Sequence, residues 1–203
     1  MKKTKEEKRH FSFSQFNLYK QDPQAYFEKY VLGIEQITTP KMMKGKIFSE
    51  AFADRKYDFK KALIDNGFKQ KDCEVMAKAL ASIPDIGKKN CEVEIRVDNG
   101  EMDLLGYFDG LLKDVAHLIE NKFGEWVYTQ AIVDEMEQLT FYAMLYWLKY
   151  GVPPRRISLL WVNARTGVVL QFDTKRSVKQ IKEFKKLVDY VQQCVVVGKY
   201  ERL

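Results

Sequence analysis

The stretch that decides the fold runs from Cys91 to Phe123 and reads CEVEIRVDNGEMDLLGYFDGLLKDVAHLIENKF. Its first seven residues alternate between apolar and charged side chains, which is the period of a half-buried β-strand. The segment 98–100, Asp-Asn-Gly, is a strong tight-turn signal, so a returning strand is predicted over residues 101–112. The chain turns again at residues 113–114, and a third strand is predicted over 116–123. The pattern predicts a meander of three strands.

The segments on either side of this meander show mainly helical periodicity. Because helices precede the strands, and a helix, two strands and a helix follow them, we predict an α/β fold with a mixed central sheet flanked by helices. The predicted helices cover residues 15–31 (interrupted at Pro23, with Ser12 or Ser14 as the cap), 42–65, 72–81, 129–150 and 177–194, and the two later strands cover 156–162 and 168–172.

The length and composition indicate one globular domain. The chain has 203 residues, of which 46% are hydrophobic and 31% charged, a balance that excludes a disordered or collagen-like protein. We expect a basic tail over residues 1–11 and a single domain over 12–203, with a helical first third (12–85) and a catalytic core (90–194). No run approaches the roughly 18 apolar residues that a membrane span needs, so no membrane association is expected.

Cysteine and histidine are scarce, which limits the chemistry. The three cysteines, Cys73, Cys91 and Cys194, match no zinc or disulfide pattern, so we expect a reducing, cytoplasmic location. Of the two histidines, His10 falls in the charged tail, and His117 lies in an apolar run where a hydrogen-bonded core or edge residue is favoured over a metal ligand. A Ser-His-Asp triad would depend on one of these two.

The charge distribution favours a polyanionic partner. The formal net charge is +6, and Lys179, Lys182 and Lys186 share one face of the last predicted helix, where they could neutralise phosphates. A solvated helix face explains these lysines equally well. Residues 92–137 are predominantly acidic and could form a cation site, the alternative being a solvated acidic face.

The residues most suited to catalysis are Asp109, Glu120 and Lys122. Residues two apart on a strand point to the same face, so Glu120 and Lys122 project together, and the meander can bring Asp109 beside them. Two carboxylates and the backbone carbonyl of Asn121 would form half of a coordination shell for Mg²⁺ or Mn²⁺, and Lys122 could hold or help deprotonate an attacking water. This set predicts a phosphodiesterase site, the non-catalytic alternative being a buried ion pair.

These residues carry a family resemblance. The segment Gly106–Asp109 followed by Ile119–Lys122 resembles the core signature of the PD-(D/E)xK nucleases, whose fold is restriction-endonuclease-like. Three further segments are similar to motifs of the RecB-like branch of that superfamily, which includes CRISPR-associated and phage exonucleases. They are Ser12–Ser14 with Tyr19 and Asp22-Pro23, Lys44–Phe48, and Gln138–Tyr142. The resemblance implies DNA as substrate and catalytic roles for Asp109, Glu120, Lys122, Gln138 and Tyr142, with Asp109, Glu120 and Asn121 as the metal-binding residues.

The sequence departs from this branch at two positions. The branch usually has a metal-binding histidine four residues after Gly45, where this chain has Ser49, and the adjacent Glu50 could supply an oxygen instead. Members with an iron–sulphur cluster carry a cysteine before the proline of the first motif, where this chain has Asp22. We therefore expect no iron–sulphur cluster.

The sequence thus predicts a metal-dependent DNA nuclease, with an exonuclease favoured over an endonuclease. The resemblance suggests a role in replication, recombination or mobile-element DNA processing, with a replication or recombination protein as a further expected partner. Ser49 motivates an alternative, a catalytically inactive nuclease-fold module that binds DNA or protein. A third alternative is a hydrolase of smaller phosphate esters.

Overall fold

A computed structural model describes residues 9–35 and 37–201 of the chain. In it, helices cover both faces of a six-stranded mixed sheet. The strands are β1 (His10–Ser12), β2 (Cys91–Val97), β3 (Asp103–Leu112), β4 (His117–Gly124), β5 (Arg156–Asn163) and β6 (Val169–Thr174). The helices are α1 (Phe13–Gln21), α2 (Pro23–Tyr26), a π-helix (Phe27–Val31), α3 (Pro40–Ala53), α4 (Phe59–Asp65), α5 (Gln70–Ser82), α6 (Gln130–Glu135), α7 (Glu137–Tyr150) and α8 (Val178–Val196).

The predicted meander is confirmed. β2 pairs with β3 and β3 with β4, both antiparallel. β4 then pairs along its whole length with β5 in parallel, and β6 pairs with β5 antiparallel. A parallel pair needs a crossover connection, which α6 and α7 supply. The α/β class and the mixed sheet predicted from the order of elements are therefore as expected.

Strand β1 was not predicted, and it changes the interpretation of the N-terminus. The predicted tail 1–11 lies mostly outside the described residues, but His10 and Phe11 belong to β1, which pairs in parallel with the start of β3. Phe11 is completely buried. The placement of His10 in a tail is thus wrong. The sequence does not indicate β1, because a strand of three residues is too short to show a period of two.

The strand pairing leaves a fork along one edge of β3. β2 occupies the other edge, so β1 and β4 must share this one: β1 pairs with residues 103–105 and β4 with residues 110–112. Beyond Ile119, β4 pairs only with β5. Asp109 lies where β3 and β4 separate, so its side chain can interact with backbone groups that strand pairing leaves unused.

An apolar layer fills each side of the sheet. On one side α1, α7 and α8 contribute Phe16, Leu139, Phe141 and Val188 to the larger cluster. On the other side α3, α4 and α5 contribute to the second cluster Phe48, Phe52, Leu63 and Met76. None of the helices within residues 9–35 and 37–201 is both long and apolar enough to cross a bilayer.

Two long predicted helices are each divided in the structure. The predicted helix 42–65 is α3 and α4, the latter capped by Asp58, whose carboxylate accepts from the Lys61 amide at 3.0 Å. The predicted helix 129–150 is α6 and α7, separated at Met136, which has an extended backbone. The buried Arg176 guanidinium stabilises this break, because it donates to the carbonyls of Val133 (2.9 Å) and Met136 (3.3 Å).

Helix α8 is amphipathic, as predicted, and Ser177 caps its N-terminus. Its apolar side is buried, whereas Lys179 is 85% exposed and lies 3.9 Å from Glu183. Lys182 lies over the ring of Trp147, 6.0 Å from its centroid. The lysine face is thus mainly solvated, and its use in binding phosphates stays a prediction.

The close approach of α7 to β3 depends on Gly106. A Cβ atom at this position would lie 2.5 Å from Cδ1 of the buried Leu145 and 3.4 Å from Cε1 of Tyr142. We expect Gly106→Val to lower the free energy of unfolding by about 1–3 kcal/mol, measured by urea denaturation, because the side chain overpacks this contact.

The matched control is Gly45→Ala in α3, where a Cβ atom meets nothing within 4 Å. Alanine in a helix interior should raise the free energy of unfolding by up to about 1 kcal/mol. Wild-type stability of Gly106→Val would contradict the packing described for α7.

Candidate active site

Asp109 and Glu120 lie side by side where β3 and β4 separate. One carboxylate oxygen of Asp109 accepts from the backbone N–H of Asn121 at 2.7 Å. A continuing antiparallel ladder would give this N–H to a backbone carbonyl. Because β4 leaves β3 here, the Asp109 carboxylate takes the place of that carbonyl. The hydrogen bond fixes Asp109 against β4 beside Glu120.

Lys122 compensates only part of the charge of the two acids. Its ammonium donates to Oε1 of Glu120, as expected for residues two apart on one strand face. The Glu120 side chain is only 5% exposed, whereas that of Lys122 is 30% exposed and reaches solvent. The second oxygen of Glu120, Oε2, is buried and has no hydrogen-bond partner in the described part of the chain.

The pKa values reflect this excess of negative charge. Burial, and next the charge of Glu120, raise the pKa of the Asp109 carboxyl well above its ordinary value, despite the opposing hydrogen bond from Asn121. Burial alone would lower the pKa of Lys122, but Glu120 and Asp109 outweigh it and raise that pKa. The site therefore favours an additional positive charge.

Gln138 and Tyr142 stand at the same site, one helical turn apart on α7. The Gln138 amide donates to the Tyr142 hydroxyl at 3.1 Å. Burial, followed by the charge of Glu120, raises the pKa of Tyr142, which places its phenol within the field of the carboxylates. The structure thus brings together all five residues for which a catalytic role is predicted.

Ser49 contacts Asn121 and not the two acids. Its hydroxyl donates to Oδ1 of Asn121 at 3.3 Å, and the buried Nδ2 of that amide has no partner within residues 9–35 and 37–201. Asn121 alternates with its strand neighbours, so its side chain faces α3, away from Glu120 and Lys122. Only its backbone carbonyl remains as the predicted metal ligand.

Glu50 is not brought to this site. Its carboxylate lies 4.0 Å from the ammonium of Lys46 and is hydrogen-bonded to Tyr57. The idea that Glu50 supplies an oxygen in place of the missing histidine is therefore wrong for this conformation. A step of one residue along α3 turns the side chain about 100° away.

A groove of about 340 Å³ leads to Lys122 and Gln138. Its other wall consists of α1 and the π-helix and includes Ser14, Asn17 and Gln21. The sequence analysis names Ser14 only as a possible helix cap and as part of a family motif, and it missed Asn17 and Gln21. The spacing of three and four among these residues, which places polar side chains on one helix face, was a usable signal. The groove gives the candidate site access from solvent along a mainly polar wall.

The residues present fit a hard divalent cation. Asp109, Glu120 and the Asn121 carbonyl offer only oxygen atoms, and Mg²⁺ and Mn²⁺ prefer oxygen and retain several waters. The partnerless Oε2 of Glu120 is a free lone-pair donor of this kind. In the described ranges no group of three or more His, Cys, Asp or Glu side chains is placed to hold a metal, so a main-chain oxygen and waters would have to complete the shell.

His117 lies apart from the candidate active site. Its Nε2 is 2.7 Å from the Ser158 hydroxyl, which in turn donates to Asp173 at 2.6 Å. Burial, with the nearby charge of Arg156, lowers the pKa of His117. His117 is therefore a hydrogen-bonded sheet residue, as the sequence favoured.

Comparison with known proteins supports the fold. No protein-family model matches the chain, and neither does any curated protein sequence. Among solved structures, a candidate exonuclease from Eubacterium rectale superposes with a TM-score of 0.69 at 13% identity, covering 96% of this chain and 84% of that one. LHK-Exo, crystallised with dAMP, gives a TM-score of 0.47 at 12% identity, with 95% and 89% covered. The predicted α/β class with a mixed sheet flanked by helices is confirmed, and the fold is like that of the candidate exonuclease.

The raised pKa of Asp109 predicts a pH-dependent effect of replacing it. Since the folded-state pKa exceeds the unfolded value of about 4, ionisation destabilises the folded protein as the pH rises above that value. In EDTA at pH 7, Asp109→Asn should unfold at higher urea than the wild type, and the difference should shrink towards pH 4. Equal or lower stability of Asp109→Asn at pH 7 would contradict the charge balance described.

Asp173→Asn is a control of opposite sign. Hydrogen bonds from Arg156, Ser158 and Gln171 outweigh burial and lower the pKa of Asp173 to about 2. This variant should be less stable than the wild type at pH 7, and its deficit should close only as the pH falls from about 4 towards 2.

Proposed function

We propose that the protein is a divalent-metal-dependent DNA nuclease of the PD-(D/E)xK superfamily, within its RecB-like branch. The observation that carries this proposal is the pairing of Asp109 and Glu120 at the fork of the sheet, with Lys122 held beside them by Glu120. The overall likeness to the candidate exonuclease from Eubacterium rectale supports a nuclease of the exonuclease type.

The reaction is hydrolysis of a phosphodiester. Water attacks the phosphorus and gives up a proton to solvent as the new P–O bond forms. The bond to the leaving oxygen breaks, and that oxygen takes up a proton from solvent. A bound Mg²⁺ or Mn²⁺ would polarise the phosphoryl oxygen and stabilise the developing alkoxide. Asp109, Glu120 and the Asn121 carbonyl would hold it.

The remaining residues orient the reactants. Lys122 Nζ is a hydrogen-bond donor in this structure, so it holds the attacking water or the scissile phosphate. Gln138, through its bond to the Tyr142 hydroxyl, fixes a second polar group beside the carboxylates. Both groups act by position, which is the main protein contribution in phosphoryl chemistry.

DNA is the proposed substrate because the net charge of +6 and the lysines of α8 suit a polyanion. We further propose that the protein processes DNA during replication or recombination. It would act in the cytoplasm, with a protein of that machinery as its partner. The alternative, an inactive nuclease-fold binding module, is favoured by one observation: Ser49 contacts Asn121 and supplies no ligand to the carboxylates.

A cleavage assay separates these functions. Purified protein is incubated with end-labelled linear and closed circular DNA, single- and double-stranded, in Mg²⁺, Mn²⁺ or EDTA. We expect metal-dependent loss of linear DNA only, and Glu120→Gln should reduce the rate by more than about a hundredfold because a metal ligand is removed. Glu94→Gln, at an exposed position on β2, is the matched control and should keep the wild-type rate.

The other outcomes are equally informative. Cutting of circles would make the protein an endonuclease. DNA binding without cleavage in any metal would establish the binding module, and inhibition by mononucleotides but not by polymeric DNA would indicate a hydrolase of smaller esters.

The pair on α7 generates a separate prediction. Gln138→Ala and Tyr142→Phe should each reduce the cleavage rate by about tenfold to a hundredfold, as loss of an orienting partner of a metal site does. Gln130→Ala is the control, because Gln130 makes a similar contact with Asp134 (2.9 Å) outside the site. Wild-type rates for both α7 variants would remove this pair from the active site.

A further inference from the structure

A second cavity, of about 330 Å³, lies beyond the end of β4. Phe123 and Gly124, the last residues of that strand, contribute to its lining and follow directly on Lys122. The Ala164 amide donates to the Gly124 carbonyl at 3.0 Å, so a backbone contact holds this wall in place. The cavity is therefore built on the same strand end as the candidate active site but on the α3 face of the sheet, because Phe123 and Lys122 point to opposite faces of β4.

An aromatic ring from the segment before α5 and two lysines from α3 complete the cavity. Phe68 precedes α5, and the ring of Phe123 stacks on the buried Phe48 at 4.9 Å between centroids. The Lys44 ammonium lies 4.9 Å from the centroid of Phe68 and 2.6 Å from Asp72, so it is fixed over the ring. The cavity thus offers aromatic surface next to positive charge.

The acid that lines the cavity, Glu125, is itself paired, because Arg165 lies 2.5 Å from it. The hydrogen bond from Arg165 is the main cause of the lowered pKa of Glu125, and the charges of Lys41 and Lys44 lower it further. Trp126 follows Glu125 in the chain and is 67% exposed, an unusual fraction for the largest apolar side chain. Trp126 is therefore an exposed aromatic residue one position past the lining residue Glu125.

We propose that this cavity binds an unpaired base of a DNA strand that passes around the end of β4 from the candidate active site. The proposal rests on the proposed function and adds a single-stranded segment as the form of substrate bound there. Its volume is at the small end of ligand cavities, which suits a single base. The base stacks on the Phe68 and Phe123 rings, Lys41 neutralises its phosphate, and Trp126 stacks the next base.

The test is a binding measurement in EDTA, so that no hydrolysis takes place. Fluorescence anisotropy gives the dissociation constants of a 12-nucleotide oligothymidylate and of a matched abasic oligomer. Phe68→Leu and Trp126→Ala should each weaken binding of the oligothymidylate by roughly five- to fiftyfold and leave the abasic oligomer unchanged, because they remove stacking. Trp126 is mainly exposed, so Trp126→Ala keeps the fold and decides the matter alone if Phe68→Leu is unstable.

Lysine variants test the phosphate contact. Lys41→Ala should weaken binding of both oligomers and reduce the slope of log Kd against log salt by about one unit. Lys46→Ala is the control, because Lys46 lies on the same helix, has a side chain that is 70% exposed and does not line the cavity. It should bind both oligomers within about twofold of wild type, as expected for a surface residue without a specific contact.

The proposal is overturned if the aromatic variants bind oligothymidylate like the wild type, or if they weaken both oligomers equally. Metal-dependent cleavage with base-independent binding would retain the nuclease and remove the subsite. Base-dependent binding without cleavage in any metal would support the subsite and remove the nuclease.

Discussion

Two carboxyl groups and one ammonium group share a partly buried site, and the uncompensated negative charge constrains the rest of the structure. Burying such a charge is costly unless hydrogen bonds and counter-charges offset it. Here the Asn121 amide and Lys122 offset part of the cost, and the raised pKa of Asp109 reflects what is left over. A divalent cation would neutralise the negative charge that these groups leave uncompensated.

The fold supplies the geometry that this constraint requires. β1 and β4 divide one edge of β3 between them, so Asp109 meets a backbone N–H that no strand uses. Gly106 allows α7 to lie close to the sheet, which brings Gln138 and Tyr142 to the carboxylates. Successive side chains of β4 point to opposite faces of the sheet, so Lys122 faces the polar groove and Phe123 lines the aromatic cavity.

Features encoded in local sequence were predictable, and features that depend on distant partners were not. Residues 91–123 carry their own alternation and turn signals, so the meander and the convergence of its charged residues could be predicted from them. The break at Met136 depends on Arg176, which is forty residues away in sequence. Strand β1 is too short to show a period. The contact between Ser49 and Asn121 joins residues 72 apart, and no local pattern indicates it.

The most direct measurement is the anomalous scattering of Mn²⁺ in crystals of the protein. If the paired carboxylates hold the catalytic metal, a peak will appear within about 2.5 Å of oxygens of Asp109 and Glu120, with the Asn121 carbonyl beside it and the Lys122 ammonium moved away from Glu120. Occupied manganese sites elsewhere, with the Lys122 to Glu120 hydrogen bond intact and no peak between the two acids, would contradict a metal-dependent nuclease site at this position.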